Sequence, residues 1–576
     1  MNKIRDAVVN LVVEGVGLNA EEINSLLERP ADRSKGDYSL ACFRLGRALH
    51  KTPNQVAVEI ASKLTPTGFI SDIKVIGAYV NFFADPLKLT ELTISQIRAE
   101  KDNYGKSEIG KGKTVIIEYS SPNIAKPMGI GHLRSTVIGN ALYKIFKSLG
   151  YNCVGINYLG DWGTQFGMLI YNKELNKITN PTVEDLKRAY TETYTVVSNS
   201  PEKQEEVRLE FEKLENGDAE NRKKWEKFRK ISIKEFERVY NILGVTFDEY
   251  SGESLANATI NQVIAEIEKK GLAEISEGAL VVKLDKYGMT PCLLRKSDGA
   301  TIYASRDIAE AKRRYDKYKF SKMVYVVGSD QKLHFRQIFK VLELMEYPWA
   351  KDCVHADFGL VRIEGEKMST RRDKTILLEE VLNEAIERSK ATMQSRSRLG
   401  GTNKVSEDKI DEIAKAVGIG AIVFNDLKNK RTRDIDFDWE QVLSFDGETG
   451  PYLQYTHTRL ASLLDKAKEA GYKIEDTTPI NPELFKTVEE IMLIKRLNEF
   501  PEIIEEAAKA YEPSVISNYL LDLASVFNRF YRFHRVISSN ENEVELSKSR
   551  LVLVKCLKYV LANGLNILGI TALEEM

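Results

Sequence analysis

The sequence predicts an α/β protein: an open parallel-sheet core, a smaller α+β unit before it and an all-α bundle after it. Three observations carry this. From Thr114 onward, compact apolar strands alternate with helical stretches, the pattern of parallel βαβ units with both sheet faces covered. Residues 1–106 mix amphipathic helix patterns with strand alternation. The stretch from Pro451 to Met576 holds only long amphipathic runs, the mark of a helical bundle. At 576 residues the chain exceeds what one hydrophobic core organises, so several domains are expected.

In the first unit an amphipathic helix leads to the turn "KGDYS". "LACFRLGRALHK" and "TPNQVAVEIASKL" then read as helices, and "SDIKVIGAYVNFFAD" as strands around Gly77. The polar "AEKDNYGKSEIGKGK" leads into the core, assigned to residues 107–405. There "TVIIEYS", "NCVGINYLGD", "KMVYVVGSD" and "HADFGLVRI" read as strands. Residues 181–241 form a charged, helix-prone insertion whose charges read as a solvated face. Residues 406–450 are a helical connector and 451–576 the bundle.

Composition excludes several classes. Hydrophobic residues make up 43% and charged residues 29%, as in ordinary globular enzymes, and no apolar run is long enough to span a bilayer. The N-terminus lacks a signal-peptide pattern, so a cytoplasmic protein with no membrane partner is expected. The five cysteines form no C-x-x-C pair and the six histidines no H-x-x-x-H, so neither disulfides nor zinc nor any other protein-held metal is expected. A net charge of −1 means that a nucleic acid would have to meet local basic patches.

Two loops carry the chemistry. After the strand through Tyr119 comes "SSPNIAKPMGIGHLRST", then a helix ending at Gly150. In an open parallel sheet, ligands bind beyond the carboxyl ends of the strands. Gly129 and Gly131 permit close backbone approach, the helix start near His132 offers N–H groups to phosphate, and His132 adds a donor. Alone, G-x-G-H is a glycine turn. Far downstream, "GEKMSTRRDKT" is a basic loop whose Lys367 suits a leaving polyphosphate. As a pair the two are harder to dismiss.

These loops resemble the signature pair of class I aminoacyl-tRNA synthetases, which bind ATP between H-x-G-H and K-M-S-K-S. With "YLGDWGTQFG", "TIYASRDIAEAKRRY", "VVGSDQKLHFRQIF" and "GPYLQYTHTRL", the chain resembles arginyl-tRNA synthetases along nearly its whole length. The resemblance implies a class I Rossmann-like catalytic domain, an N-terminal tRNA-contacting domain and a C-terminal anticodon-binding bundle. It implies ATP as substrate, with Mg2+ travelling on ATP, and L-arginine and tRNA(Arg) as partners; a monomer is expected. Two motif positions depart: Gly129 stands where the first histidine is usual and Thr370 where the second lysine is usual. By resemblance Lys126 supplies the missing charge.

The implied reaction joins arginine's carboxylate to the α-phosphate of ATP and then passes the arginyl group to tRNA, with no protein nucleophile. His132, Lys126 and Lys367 are the implied catalytic residues; Gly129, Gly131, His132, Met368 and Ser369 hold ATP. Glu118, Tyr303 and Asp307 face the guanidinium, and Ser121, Asn123, His132 and Gln331 hold the rest of arginine. A carboxylate grips a planar guanidinium bidentately, so no editing domain is expected. The bland reading of Ser305 and Asp307 is that they cap a helix. For tRNA, Lys428, Lys430, Arg431 and Arg433 are candidates to follow phosphates, and Tyr455, Asn528 and Tyr531 to stack anticodon bases. Rival readings are a non-catalytic tRNA-binding relative and another small-acid nucleotidyl transferase.

Overall fold

The computed structural model describes residues 3–30, 32–363, 366–367, 376–398 and 407–576. Its core is a five-stranded sheet of β1 (Thr114–Glu118), β2 (Asn152–Leu159), β3 (Glu249–Gly252), β4 (Lys322–Tyr325) and β5 (Cys353–His355). The order is β3-β2-β1-β4-β5 and every neighbouring pair is parallel. Central strand β1 buries Val115, Ile116 and Ile117 completely, as expected of a strand covered on both faces. The order reverses between β1 and β4, which makes the cleft beyond their carboxyl ends the place for a ligand.

Helix α1 (Gly131–Ser148) leaves the β1 loop and packs on β1 and β2. The insertion folds as three helices, Val183–Val197, Pro201–Glu215 and α2 (Ala219–Leu243). On the sheet's other face lie α3 (Glu253–Lys269), α4 (Tyr303–Tyr318) and α5 (Lys332–Leu344). Helices α6 (Leu378–Arg398) and α7 (Glu407–Leu427) lead to α8 (Gly450–Glu469), α9 (Val488–Ala510), α10 (Ser514–Phe533) and α11 (Val544–Ile567).

Several local readings need correction. "LACFRLGRALHK" is not one helix: Tyr38–Ala41 is a strand paired with Tyr79–Ala84, and only Phe43–Ala48 is α-helical. Sheet pairing to a distant hairpin overrides local helix preference there. "HADFGLVRI" is likewise two strands. His355 ends β5, while Val361–Ile363 pairs with Ile435–Phe437 in a separate small sheet. The sequence reading also passed over the antiparallel strands Ala273–Ser276, Ala279–Val282 and Cys292–Arg295.

The N-terminal unit is bolted to α9 by charge. Arg29 pairs with Glu502 and the Tyr38 hydroxyl donates to Glu502 at 2.7 Å, while Lys495 meets Asp37 at 2.7 Å. All five cysteines are free thiols. No helix among the described residues is long and apolar enough to cross a membrane.

Candidate active site

The β1–α1 loop is built under backbone tension. Ser120, Ser121 and Ala125 all take positive φ, at 70°, 49° and 62°, which L-residues adopt only when neighbours over-determine them. Those neighbours are buried hydroxyls and amides. Ser120 N–H donates to Ser135 Oγ at 2.9 Å, and Ser121 N–H donates to Asn157 Oδ1 at 3.2 Å. Asn123 bridges Gly160 through backbone, and a Cβ on Gly160 would stand 1.8 Å from Asn123 Oδ1. Gly160→Ala should therefore displace Asn123 and lower kcat/KM for the bound small substrate by about 10²-fold, with little loss of stability. Steady-state kinetics and a melting curve on the same sample check this.

Two segments far apart in the chain meet at this loop. Gly129 pairs antiparallel with Leu377, the Ile130 amide donates to Ile376 O at 3.1 Å, and the Leu378 amide donates to Met128 O at 2.9 Å. The segment that follows the basic loop is thus hydrogen-bonded to the glycine loop. Lys367 lies in a two-residue strand paired with Arg362. Its side chain, and Met368, Ser369 and Thr370 altogether, lie outside the described residues. Among the described residues a Cβ on Gly131 would meet nothing within 4 Å, so they do not require glycine there.

His132 is partly buried, and burial holds its imidazole below the ordinary histidine range, against the pull of the Gly129 carbonyl. Nδ1 lies 3.0 Å from Gly129 O, which only accepts, so Nδ1 carries the hydrogen. The ring is therefore held towards its neutral form, with Nε2 left as an acceptor. The ammonium of Lys126 lies 5.2 Å from the Tyr190 ring centroid, over an insertion helix.

Across the cleft, α4 begins without a side-chain cap from Asp307. Ser305 alone closes the turn, with Oγ donating to Ile302 O at 2.8 Å. Asp307 instead faces His334, Oδ2 to Nε2 at 2.6 Å. The helix-cap reading of Asp307 fails; its carboxylate is about a quarter exposed and is engaged by His334. Tyr303 is 66% exposed beside it. Gln331 is exposed in the turn after β4 and donates to Asp330 Oδ2 at 3.0 Å. Glu118 departs from expectation: it already pairs with the fully buried guanidinium of Arg314, which also binds Glu310 at 2.9 Å. Its charge is largely answered from within the chain.

Three residues around the cleft escaped the sequence reading: His334, Tyr158 and Glu253. His334 sits one helical turn beyond Gln331 and was within reach of periodicity. Glu253 comes near Asp307 only through the packing of α3 on α4, which has no local signal.

The expected RNA contacts divide. Lys430 and Arg433 are exposed. Arg431 is turned inward, bound to Asp357 Oδ1 at 2.8 Å and to Tyr511 O at 3.2 Å, so it acts as a strut and its charge is spent. Lys428 is half-buried with its ammonium on Glu448 O at 3.0 Å. Tyr455 is 46% exposed. Asn528 donates to Tyr452 Oη at 2.7 Å, and Arg459 covers the Tyr531 ring at 4.4 Å, so both residues already have partners on the α8–α10 face.

The chain matches three family models in order. They are the arginyl tRNA synthetase N-terminal domain over residues 2–84, the class I (R) tRNA synthetase catalytic domain over 93–439 and the DALR anticodon-binding domain over 453–576. It is 44% identical to an arginine–tRNA ligase of Clostridium beijerinckii, covering 99% of this chain and all of the relative. It is 43% identical to one of Clostridioides difficile over the full length of both. Solved arginyl-tRNA synthetases from Plasmodium falciparum and Thermus thermophilus superpose with TM-scores of 0.83 and 0.80 at 25% identity, over 100% and 99% of this chain and all of theirs. With the parallel sheet reversing at the β1–β4 cleft and the glycine loop there paired with Leu377, the chain belongs to the arginyl-tRNA synthetases, class I ligases that use ATP to join arginine to tRNA.

Proposed function

We propose that arginine activation runs in the cleft beyond β1 and β4, with ATP over the glycine loop and arginine between Tyr303, Asp307, Asn123, Ser121 and Gln331. The observation that carries this reading is the backbone pairing of Gly129 with Leu377, because it brings the residue two places beyond the basic motif to the glycine loop. Arginine's carboxylate attacks the α-phosphate and pyrophosphate leaves. Catalysis consists of positioning and charge stabilisation. Gly129, Gly131, Met368 and Ser369 frame the nucleotide. His132, protonated as phosphate arrives, donates to it; Lys126 and Lys367 neutralise the pyrophosphate. Lys126 must leave Tyr190 to do so, which makes its action part of substrate binding.

Asp307 takes the guanidinium in bidentate fashion, with Tyr303 against its face. Glu118 shapes the floor of the pocket through Arg314. Mg2+ comes in on the polyphosphate; among the described residues no group of three or more His, Cys, Asp or Glu could hold a metal, and no step is assigned to one. Residues 1–106 and 451–576 hold the tRNA, with Lys430, Arg433 and Tyr455 the exposed candidates for contact. The enzyme works as a cytoplasmic monomer without zinc.

Arginine-dependent ATP–pyrophosphate exchange, with and without tRNA(Arg), tests the reading. Exchange is expected only with tRNA present, and Lys126→Ala should slow it about 10²-fold. Exchange with another acid and no tRNA, or an unimpaired Lys126→Ala enzyme, would overturn it.

A further inference from the structure

The β1–α1 loop is held from outside the sheet, by the last helix of the insertion. Tyr240 stands near the end of α2 and is 1% exposed. Its hydroxyl lies 2.7 Å from Ser120 Oγ and 2.9 Å from Asn157 Nδ2. Ser120 Oγ lies 2.8 Å from Thr136 Oγ1, which lies 2.7 Å from His132 O. Tyr240, Ser120, Asn157 and Thr136 are all buried, so every proton among them needs an acceptor. Only one arrangement fits. A carbonyl only accepts, so Thr136 gives its single hydroxyl proton to His132 O. Ser120 then donates to Thr136, Tyr240 donates to Ser120, and Asn157 Nδ2 donates to Tyr240. The bonds run head to tail from Asn157 to the signature histidine, and bonds in such a chain strengthen one another.

Tyr240 thereby fixes the Asn157 amide, whose Oδ1 accepts the Ser121 N–H at 3.2 Å. This pairing holds Ser121 at a φ of 49°, directly after Ser120 at 70°. Ser121 Oγ is itself buried with no hydrogen-bond partner among the described residues, a bond left for substrate to complete. The same helix holds the other end of the loop. Ser232 lies eight residues before Tyr240, about 12 Å back along α2. It is fully buried, donates to Phe228 O at 2.9 Å and accepts the Ala125 N–H at 2.9 Å. Ala125, with a φ of 62°, directly precedes Lys126. Strained backbone persists only where its surroundings over-determine it, and α2 supplies a bond at each end of this stretch.

We propose that Tyr240 and Ser232 are positioning residues for arginine activation, and that α2 sets the shape of the β1–α1 loop through them. Tyr240 aligns Ser121 and Asn123 for arginine, and Ser232 aligns Lys126 for the departing pyrophosphate. The proposal rests on the pocket assignment above. Neither side chain touches substrate; each acts through the loop it holds.

The two ends carry different kinetic signatures. In Tyr240→Phe the ring still fills its place, but Asn157 Nδ2 loses its acceptor and Ser120 Oγ its donor. The Asn157 amide is then free to turn away from Ser121. Ser120 still donates to Thr136, so the His132 end stays intact. KM for arginine should rise about tenfold, with KM for ATP within about twofold of native. In Ser232→Ala the Ala125 amide is left buried and unpaired beside Lys126. There kcat for exchange should fall about tenfold, with KM for arginine near native. A general loss of packing would move both variants in the same direction.

The test is arginine-dependent ATP–pyrophosphate exchange by the full chain with tRNA(Arg) present, beside a melting curve for each protein. The proteins are the native enzyme, Tyr240→Phe, Ser232→Ala, Ser120→Ala, Asp307→Asn and the double variant Tyr240→Phe with Ser120→Ala. Tyr240 and Ser120 act in one chain, so KM for arginine in the double variant should be no higher than in the worse single variant. Additive losses would overturn the proposal, as would native kinetics in either Tyr240→Phe or Ser232→Ala. KM values for arginine and ATP that rise together as stability falls would overturn it too. If Asp307→Asn keeps a native KM for arginine, the pocket assignment is wrong and the proposal falls with it. If Asp307→Asn is impaired and Tyr240→Phe is native, the pocket stands and α2 only packs against it. Should Tyr240→Phe not fold, a native kcat in Ser232→Ala is sufficient to reject the arrangement.

Discussion

Asp307→Asn should lower kcat/KM for arginine about 10³-fold while leaving the melting temperature close to native. The variant keeps shape but loses charge, so a substrate guanidinium would meet a neutral amide that offers one acceptor in place of two. Hydrogen bonds to charged groups are worth about 1.5–3 kcal/mol each, and a bidentate pair makes two. Nothing in the fold leans heavily on this carboxylate. It does not cap α4, it is about a quarter exposed, and it pairs with His334, itself a side chain at the cleft. KM for ATP should stay near native, which separates a lost amino-acid contact from a distorted cleft. Kinetics for each substrate in turn, beside a thermal melt, decide the matter.

The second large effect is structural. Arg134, one turn into α1, is 1% exposed. Its Nε donates to Asp426 Oδ2 at 3.0 Å, and its Nη1 donates to Gly359 O at 2.8 Å and Arg433 O at 2.7 Å. One guanidinium thus ties the catalytic helix to the loop after β5, to α7 and to the basic connector. Arg134→Met leaves the Asp426 carboxylate buried and alone, and should destabilise this region by about 3–5 kcal/mol. The double change Arg134→Met with Asp426→Leu should recover much of that, because replacing both ions by apolar groups can be near neutral. Chemical denaturation of the single and double variants measures the difference. Equal losses in both would mean that the carbonyl contacts, not the ion pair, hold the joint.

How far the sequence led depends on the range of the interactions involved. The strands Thr114–Glu118 and Asn152–Leu159 were legible because burial on both faces makes a strand a continuous apolar run. Helix α1 was legible through its glycines and the stop at Gly150. Tyr38–Ala41 was not, because its strand state comes from pairing with Tyr79–Ala84. The motif around Arg134 was readable as part of a signature, yet its role as a strut was invisible, since Asp426 and Gly359 reach it only in the folded chain. Arg431 shows the same limit from the other side: a cation in a basic string reads as a phosphate contact until Asp357 is found beside it. Likewise Glu118 read as a free acid because Arg314 lies far along the chain and fully buried. Signatures tell which residues gather, and tertiary partners tell which of them still have a charge to give.

Those spent and unspent charges converge on one measurement, an experimental structure of the protein with L-arginine and a non-hydrolysable ATP analogue bound. The account predicts arginine in the cleft between β1 and β4, its guanidinium on Asp307 and its carboxylate turned towards the nucleotide beside Gly131 and His132. Arginine bound elsewhere, or in the cleft with its guanidinium away from Asp307, would contradict it.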